Sequence, residues 1–383
     1  GRAMIEGPPR RGIDLVWNAL PPNAPHNLLV GAPCFDPPGE LRDALARAAR
    51  VRNWDYSSSQ GSAALRDAIV RLRARRGEEW SPGQGFVTQG SKLAVLAVLG
   101  TLLRPGDEVV VPTPGYGPYR SAPPLFGATV IPVPRSAPDF AFDADRIASA
   151  FTPKTRAVIL SSPCNPTGAI LRAEEERRLA EAVRAQGAYL VMDLAYENFR
   201  YAGGRNEAPS PAPGADGDPV IRIHSFSKTF GVCGWRMGYT LADAELVRAF
   251  TAFQAAHLNP PNTIVQDALV SAPEVPDSFL ASARQCVRSR VDALLSALSD
   301  TALPAPDPEG GFCLFADATE AMRLTGAADA LSFCTRLARE AGVGFTPGTD
   351  FGTPGHVRIS ATGLARPADA PDLADRLRRF LSA

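Results

Sequence analysis

The chain has 383 residues, 45% of them hydrophobic, and its 40 basic and 40 acidic residues leave no formal net charge. This length is enough for one large and one smaller domain, and the balanced charge argues against a nucleic-acid-binding surface. The N-terminal residues lack the apolar core of a signal peptide and no apolar run is long enough to cross a bilayer, so we expect a cytoplasmic protein without membrane or nucleic-acid partners. The cysteines form no CxxC pair and the histidines are scattered, which predicts neither a disulfide framework nor a metal site.

Helical and strand-like patterns alternate along the first part of the chain, which predicts an α/β domain. Residues 41–50 and 62–77 carry apolar side chains at helical spacing. We interpret the basic segment 71–80 as the solvated end of the second helix. Short β-rich runs follow at 108–114 and 156–163.

The second half of the chain continues this alternation and then changes character. Residues 173–187 predict a helix that ends at Gly187, and residues 188–196 predict a buried strand. The Pro/Gly-rich stretch 201–219 predicts a loop. A long amphipathic helix at 276–300 then leads into a C-terminal α+β segment. GxGxxG after a strand and GxxxxGK[ST] are both missing from the sequence, which removes the two common nucleotide-binding interpretations.

Lys228 is the residue that most needs a chemical explanation. It lies in HSFSKTFGVCGWRMGY and is one of only three lysines among the 40 basic residues. A primary amine can form a Schiff base with a carbonyl group, whereas a guanidinium cannot. Ser225 and Arg236 flank it three residues before and eight residues after, as two potential phosphate ligands. The alternative is an ordinary exposed lysine in a turn.

Asp193 ends an apolar strand in VMDLAY, and Tyr196 follows three residues later. A carboxylate at the end of a buried strand is costly unless it has a charged partner, and a protonated pyridine nitrogen is such a partner. The competing interpretation is an aspartate that caps the next helix.

Two further turns follow strand-like runs. Asn165 precedes a proline in SSPCNPTG, although Asn-Pro is also common in turns for backbone reasons alone. The second turn, residues 90–92 in VTQGSKLAVLAVLG, precedes an apolar helix whose unpaired backbone N–H groups favour a phosphate. We interpret Cys164 as a packing residue and not as a nucleophile.

In order and spacing, these motifs resemble those of the fold-type I pyridoxal-phosphate (PLP) aminotransferases, class I/II, of the aspartate aminotransferase type. The resemblance extends from Gly31 to Arg358 and so covers nearly the whole chain. It implies a large three-layer α/β/α domain with a mixed, mostly parallel sheet at residues 36–272. It also implies a smaller α+β domain made of residues 1–35 and 273–383, with pyridoxal 5'-phosphate as the cofactor.

The resemblance also implies roles for individual residues. Lys228 would carry PLP as a Schiff base and act as general acid and base, while Asp193 would hold the pyridine nitrogen protonated. Tyr196 and Asn165 would contact the phenolic oxygen, and Tyr116 would stack on the ring, whereas Tyr119 is expected only to pack. The phosphate is assigned to Gly90, Ser91, Lys92, Ser225 and Arg236, together with Tyr56 from the neighbouring subunit of a homodimer with shared sites.

Substrate contacts follow from the same resemblance. Arg358, in GHVRIS, would bind the substrate α-carboxylate, for which a planar guanidinium is well suited, while Gly31 closes the site and Asn165 contributes. An arginine on a strand is also commonly a surface ion pair. The sequence departs from the family pattern at two places, so the resemblance does not predict the pocket for the substrate side chain. Cys34 replaces the usual acidic residue, and segment 17–27 is atypical of the N-terminal arm.

The implied reaction is transfer of an amino group between an L-amino acid and a 2-oxo acid. The alternative is a PLP-dependent lyase, a decarboxylating or eliminating enzyme, or a cyclase of a specialised biosynthetic pathway on the same fold. A non-catalytic effector domain of a transcription regulator is a third possibility, disfavoured because only about thirty residues precede Gly31, too few for a helix-turn-helix module. Lys92 is either a ligand for a distal substrate carboxylate or a group that neutralises the phosphate or faces solvent.

Overall fold

A computed structural model describes residues 9–51, 54–201 and 216–383. The helices of these residues are α1 (Gly12–Ala19), α2 (Gly39–Ala48), α3 (Ala63–Ala74), α4 (Ser91–Leu102), α5 (Pro118–Ser121), α6 (Ala144–Ala148), α7 (Ala173–Gln186), α8 (Phe226–Thr229), α9 (Ala244–His257), α10 (Thr263–Leu269), α11 (Asp277–Leu298), α12 (Thr319–Thr325), α13 (Ala330–Ala341) and α14 (Ala370–Leu381). The strands are β1 (His26–Asn27), β2 (Gly85–Thr88), β3 (Glu108–Thr113), β4 (Thr129–Pro134), β5 (Thr155–Ser161), β6 (Tyr189–Asp193), β7 (Val220–Ser225), β8 (Gly238–Leu241), β9 (Cys313–Asp317), β10 (Val343–Gly344), β11 (Thr346–Pro347) and β12 (His356–Ser360).

The chain divides into two compact units. The larger unit contains Ala32–Arg288 and Pro308–Phe312, and the smaller contains the residues up to Gly31, Ser289–Asp307 and Cys313–Ala383. The domain limits predicted from the sequence stay a prediction. Among the described residues, we find no helix with both the length and the apolar character that a membrane span requires.

A seven-stranded sheet forms the centre of the larger unit, in the order β2-β8-β7-β6-β5-β3-β4. Strands β7, β6, β5, β3 and β4 run parallel to one another, whereas β8 is antiparallel to both β7 and β2. This is the mixed, mostly parallel sheet that the sequence predicts.

The strands are apolar on both faces because helices cover both sides. Val109 and Val111 of β3 pack on one side with α4 and α9, whereas Val110 packs on the other side with α6 and α7. The same alternation occurs in β6, where Val191 belongs to the first core and Leu190 and Met192 belong to the second. The result is the predicted α/β/α arrangement.

The predicted helices are confirmed at α2, α3, α7 and α11. Gly187 ends α7 in the left-handed conformation, with φ of 69°, where a residue without a Cβ has no steric penalty. Residues 202–215, most of the predicted loop at 201–219, lie outside the described residues.

The smaller unit combines short sheets with helices. Strands β11, β12 and β9 form an antiparallel sheet in that order, and β1 pairs with β10 in parallel. Helix α13 has a capping box at Asp329 and Ser332, which satisfies its first backbone N–H groups.

Candidate active site

The predicted site motifs follow strands whose carboxyl ends lie along one edge of the large sheet. β5 and β6 pair so that Ser161 lies opposite Asp193, and β6 pairs in parallel with β7, which ends at Ser225. In open α/β sheets this edge is where ligands bind. The parallel sheet therefore brings together segments that are far apart in sequence.

Lys228 lies on α8, directly after β7, and faces aromatic rings from two other segments. Its Nζ lies 5.8 Å from the centroid of the Tyr196 ring and 5.9 Å from that of Phe312. The two rings contact each other edge to face at 5.0 Å. Phe312 has no signal in the sequence analysis, since its proximity to Lys228 depends entirely on the fold.

Asp193 is 6% exposed, and two groups donate hydrogen bonds to its carboxylate. The Tyr119 hydroxyl donates to Oδ2 at 2.6 Å and the Ala195 backbone N–H donates to Oδ1 at 3.1 Å. Burial raises the pKa of Asp193, while these two hydrogen bonds and the charge of Lys228 act in the opposite direction. A further cation at this carboxylate would favour its ionised form.

Tyr119 is a candidate site residue that the sequence analysis missed. Tyr119 is buried, as expected, but its hydroxyl also donates a hydrogen bond to Asp193. Burial and the adjacent carboxylate hold the pKa of Tyr119 well above its usual value, so its hydroxyl remains a proton donor. The spacing of Tyr119 three residues after Tyr116 was visible, but the parallel strand that presents Asp193 to it was not.

Tyr116 lies beside this pair. Its ring contacts the Tyr119 ring edge to face, with 5.6 Å between centroids, and the Lys92 ammonium lies 5.9 Å from the Tyr116 centroid. The ring predicted to stack on a cofactor thus contacts the tyrosine that binds Asp193, the carboxylate predicted to pair with that cofactor's nitrogen.

The N-terminus of α4 meets the Arg236 guanidinium at Gly90. A Cβ on Gly90, whose φ is +82°, would clash with Arg236 Nη2, so any larger residue here would be strained and would make the guanidinium shift. Arg236 itself has a φ of 52°, an uncommon conformation for a residue with a side chain. Backbone conformations of this kind are found preferentially at functional sites.

Ser225 and Asn165 lie on the turns predicted for them. The Ser225 Oγ accepts a hydrogen bond of 3.1 Å from the Ser227 N–H at the start of α8. The Asn165 N–H donates to the Ser161 Oγ at 3.2 Å. Cys164 is buried, as predicted, and its sulfur accepts a hydrogen bond from Arg135 at 3.2 Å.

A buried ionic cluster includes the residues directly next to Ser225 and Tyr196 in the sequence. Arg73 binds Glu78 and also Glu197, with 2.8 Å from Nη1 to the Glu197 Oε1. His224, which precedes Ser225, pairs with Glu197 at 2.8 Å, and Glu197 itself follows Tyr196. The interpretation of residues 71–80 as a solvated helix end is therefore wrong at Arg73 and Glu78, which are buried because their charges compensate each other.

Burial and the neighbouring charges shift the pKa values of Glu197 and His224 in this cluster. Burial would raise the pKa of Glu197, but the charges of Arg73, His224 and Arg76 outweigh it and hold that pKa well below its usual value. Burial and the Arg73 charge lower the pKa of His224, which favours the neutral imidazole at neutral pH.

The other three predicted site residues are described by their own surroundings. Arg358 belongs to the smaller unit, where it is buried on β12 and its Nη2 donates to the Leu29 carbonyl oxygen at 2.6 Å. Gly31 belongs to the same unit. Tyr56 is 88% exposed.

These features fit PLP. The cofactor has a phosphate, for which the N-terminus of α4 and the Arg236 guanidinium at Gly90 offer complementary charge. It also has a pyridine nitrogen, and the buried Asp193 would gain a cationic partner there. Its carbonyl group requires a primary amine, which Lys228 supplies near the aromatic rings of Tyr196 and Phe312.

Comparison with known proteins agrees with the predicted family and fold. The family model described as "Aminotransferase class I and II" matches residues 25–377. The chain is 33% identical to an aspartate aminotransferase of Geobacillus stearothermophilus over 360 residues, which cover 92% of this chain and 90% of that protein. It is 34% identical to an arginine–pyruvate transaminase of Pseudomonas aeruginosa, over 89% of this chain and 86% of that protein.

A solved structure of similar fold leads to the same conclusion. A single mutant of Thermus thermophilus aspartate aminotransferase superposes with a TM-score of 0.88 at 29% identity, over 99% of this chain and 100% of that one. The alternative lyase or cyclase reaction gains no support from these relatives, which are named as aminotransferases. The protein therefore belongs to the class I and II aminotransferases, and it is a PLP-dependent enzyme that transfers an amino group between an amino acid and a 2-oxo acid.

Proposed function

We propose that this aminotransferase takes a dicarboxylic amino acid as donor and that Lys92 binds the distal carboxylate. The observation that carries this proposal is the position of the Lys92 ammonium, 5.9 Å from the centroid of the Tyr116 ring. If Tyr116 stacks on the cofactor, this ammonium is close to the bound substrate. Lysine is otherwise nearly absent from the sequence, and relatives named as aspartate aminotransferases support the same substrate class.

The chemistry at the site is assigned to the residues at the sheet edge. When bound, PLP supplies a carbonyl carbon that attaches to amines and a cationic ring that withdraws electrons from the substrate Cα. Lys228 Nζ would hold the cofactor and, once displaced by the incoming amine, would take the proton from the substrate Cα. Asp193, with its hydrogen bond from Tyr119, would supply the negative charge for the pyridine nitrogen.

The remaining assignments are binding roles. Tyr196 and Asn165 donate to the phenolic oxygen, and Arg358 with Gly31 binds the substrate α-carboxylate. The phosphate is held by the backbone N–H groups of residues 90–92 at the start of α4, by Ser225 and by Arg236, with Tyr56 supplied by the second subunit.

We also propose a homodimer. Trp54 and Tyr56 are 69% and 88% exposed, which is unusual for large aromatic side chains so close together in sequence. A second copy of the chain that covers them would bring Tyr56 to its phosphate. Sedimentation velocity tests this directly: we expect a dimer for the wild type and a weakened dimer for Trp54→Ala. A cytoplasmic location remains a prediction.

The substrate proposal is tested by steady-state kinetics of the wild type and Lys92→Met with aspartate, glutamate, alanine and phenylalanine as donors. We expect KM to rise about 10-fold or more for the two dicarboxylic donors only, because one charged hydrogen bond contributes about 1.5–3 kcal/mol. Lys154→Met, which removes an exposed lysine, serves as the matched control and should leave all four donors unchanged. An equal effect of Lys92→Met on every donor would mean that Lys92 acts only on the phosphate.

A further inference from the structure

Cys34 and Cys286 lie together in the larger unit, although 252 residues separate them in sequence. Their Sγ atoms are 3.4 Å apart, and the Cys286 Sγ also lies 3.5 Å from the Cys34 carbonyl oxygen. Both are thiols, and both residues are half-buried. Cys34 occupies the position where the resemblance leads us to expect an acidic residue.

Aromatic contacts hold the two segments that carry Cys34 and Cys286 against each other. Phe35, the neighbour of Cys34, contacts Phe279 edge to face at 5.9 Å, and Phe279 lies on α11, the helix that carries Cys286. Phe35 also stacks on Phe199 at 5.9 Å. A disulfide bond is about 2.05 Å long, so the two sulfurs need to approach by only about 1.4 Å.

We propose that Cys34 and Cys286 are a site of reversible thiol–disulfide exchange with low-molecular-weight disulfides. One thiolate attacks a disulfide RSSR, forms a mixed disulfide and displaces one RS⁻. The second thiolate attacks the cysteine sulfur of that mixed disulfide, closes the Cys34–Cys286 bond and displaces the other RS⁻. The two thiol protons end on two RSH molecules, so RSSR gains the two electrons that the cysteine pair loses.

The bridge is connected to the active site by a continuous series of aromatic contacts. Phe35 stacks on Phe199, and Phe199 contacts Phe312 edge to face at 4.6 Å. Phe312 in turn contacts Tyr196 and lies beside the Lys228 ammonium. A bond that shifts Cys34 also shifts Phe35, and densely packed side chains transmit such displacements. Bridge formation therefore changes turnover.

Peptide mapping of the holoenzyme tests the bridge. The protein is incubated with oxidised glutathione, alkylated and digested without reduction. We expect a peptide pair joined through Cys34 and Cys286 in the wild type and in Cys233→Ser, the matched control for a third half-buried cysteine. The pair should be missing in Cys34→Ser and in Cys286→Ser.

Steady-state kinetics tests whether the Cys34–Cys286 bridge changes turnover. In the oxidised wild type we expect kcat/KM to fall about 2- to 30-fold and to recover with dithiothreitol, the range typical of coupling through packed residues. The two single variants should not respond. Glutathione that stays on either cysteine, a bridge to another cysteine, or a bridge that leaves kcat/KM unchanged would each overturn the proposal. The mapping needs no substrate, so it does not depend on the proposed donor.

Discussion

The Tyr119 hydroxyl donates a 2.6 Å hydrogen bond to the carboxylate of Asp193 and so connects the segment after β3 to the end of β6. This bond opposes the effect of burial, which raises the pKa of Asp193. Tyr119 thus stabilises the ionised form of the carboxylate, the form that a protonated pyridine nitrogen would require.

Replacing Tyr119 by phenylalanine should shift the acidic limb of the pH–rate profile. Without the donor, the pKa of Asp193 rises further, so the carboxylate protonates at higher pH and the acidic limb of kcat/KM moves to higher pH. We expect a loss of about 10- to 100-fold at neutral pH, as for a hydrogen bond to a charged group. Tyr189→Phe, on the same strand as Asp193, is the control. An unmoved acidic limb in Tyr119→Phe would contradict this role.

Asp193→Asn should retain the cofactor but lose most of the activity. An asparagine of similar shape cannot compensate the positive charge of the pyridine nitrogen, so we expect a loss of several orders of magnitude, at about 1.4 kcal/mol per tenfold change. Absorbance of the dialysed protein measures retention, and single-turnover kinetics measures the rate. Near-normal turnover would show that another residue controls the ring nitrogen.

Lys228→Ala should abolish covalent attachment of the cofactor. In the wild type, borohydride reduction followed by digestion and mass spectrometry should give PLP on the peptide that contains Lys228. The variant should bind PLP without a reducible bond, because it has lost the amine near Tyr196 and Phe312. Lys154→Ala is the control. Label on Lys92 or Lys154 in the wild type would make the assignment wrong.

Gly90→Ala should weaken cofactor binding more than Gly77→Ala does. Its new Cβ would displace the Arg236 guanidinium, in addition to the strain of a φ of +82°. Gly77 has nearly the same φ, +78°, but nothing within 4 Å of its Cβ position, so Gly77→Ala isolates the backbone strain. We expect the Kd for PLP to rise about 10-fold or more for Gly90→Ala only, as for a lost charged contact. Equal values for both variants would refute the steric argument.

Arg73→Met should destabilise the fold and raise the pH of acid unfolding. It leaves the Glu78 and Glu197 carboxylates buried without their main partner, which typically costs about 3–5 kcal/mol. Arg73 helps to hold the pKa of both below the usual range, so their contribution is present above the unfolded-state pKa and is lost as the pH falls through the folded-state pKa.

The variant should therefore unfold at higher pH than the wild type, as measured by circular dichroism. Arg71→Met, on the exposed face of α3, should change stability by less than about 1 kcal/mol. If the two variants unfold alike, the cluster is not a source of stability.

Local sequence patterns were enough to predict the secondary-structure elements and to assign a chemistry to the lysine segment. Helical spacing in α7 and an apolar run in β6 are local properties, and the amine of Lys228 has a reactivity that arginine lacks. The order of the motifs was enough to predict the family, because each motif lies on one continuous segment.

Which side chains contact each other depends on the tertiary structure. The Tyr119–Asp193 bond, the Phe312 contact with Lys228 and the Cys34–Cys286 pair all join segments that are distant in sequence. Burial was also a property of the fold: residues 71–80 are strongly charged, yet Arg73 is 3% exposed. A charged side chain is buried only where an opposite charge compensates it, and Arg73 on α3 finds that charge in Glu78 and in the distant Glu197. The pairing of β6 with β7 places Glu197 beside His224.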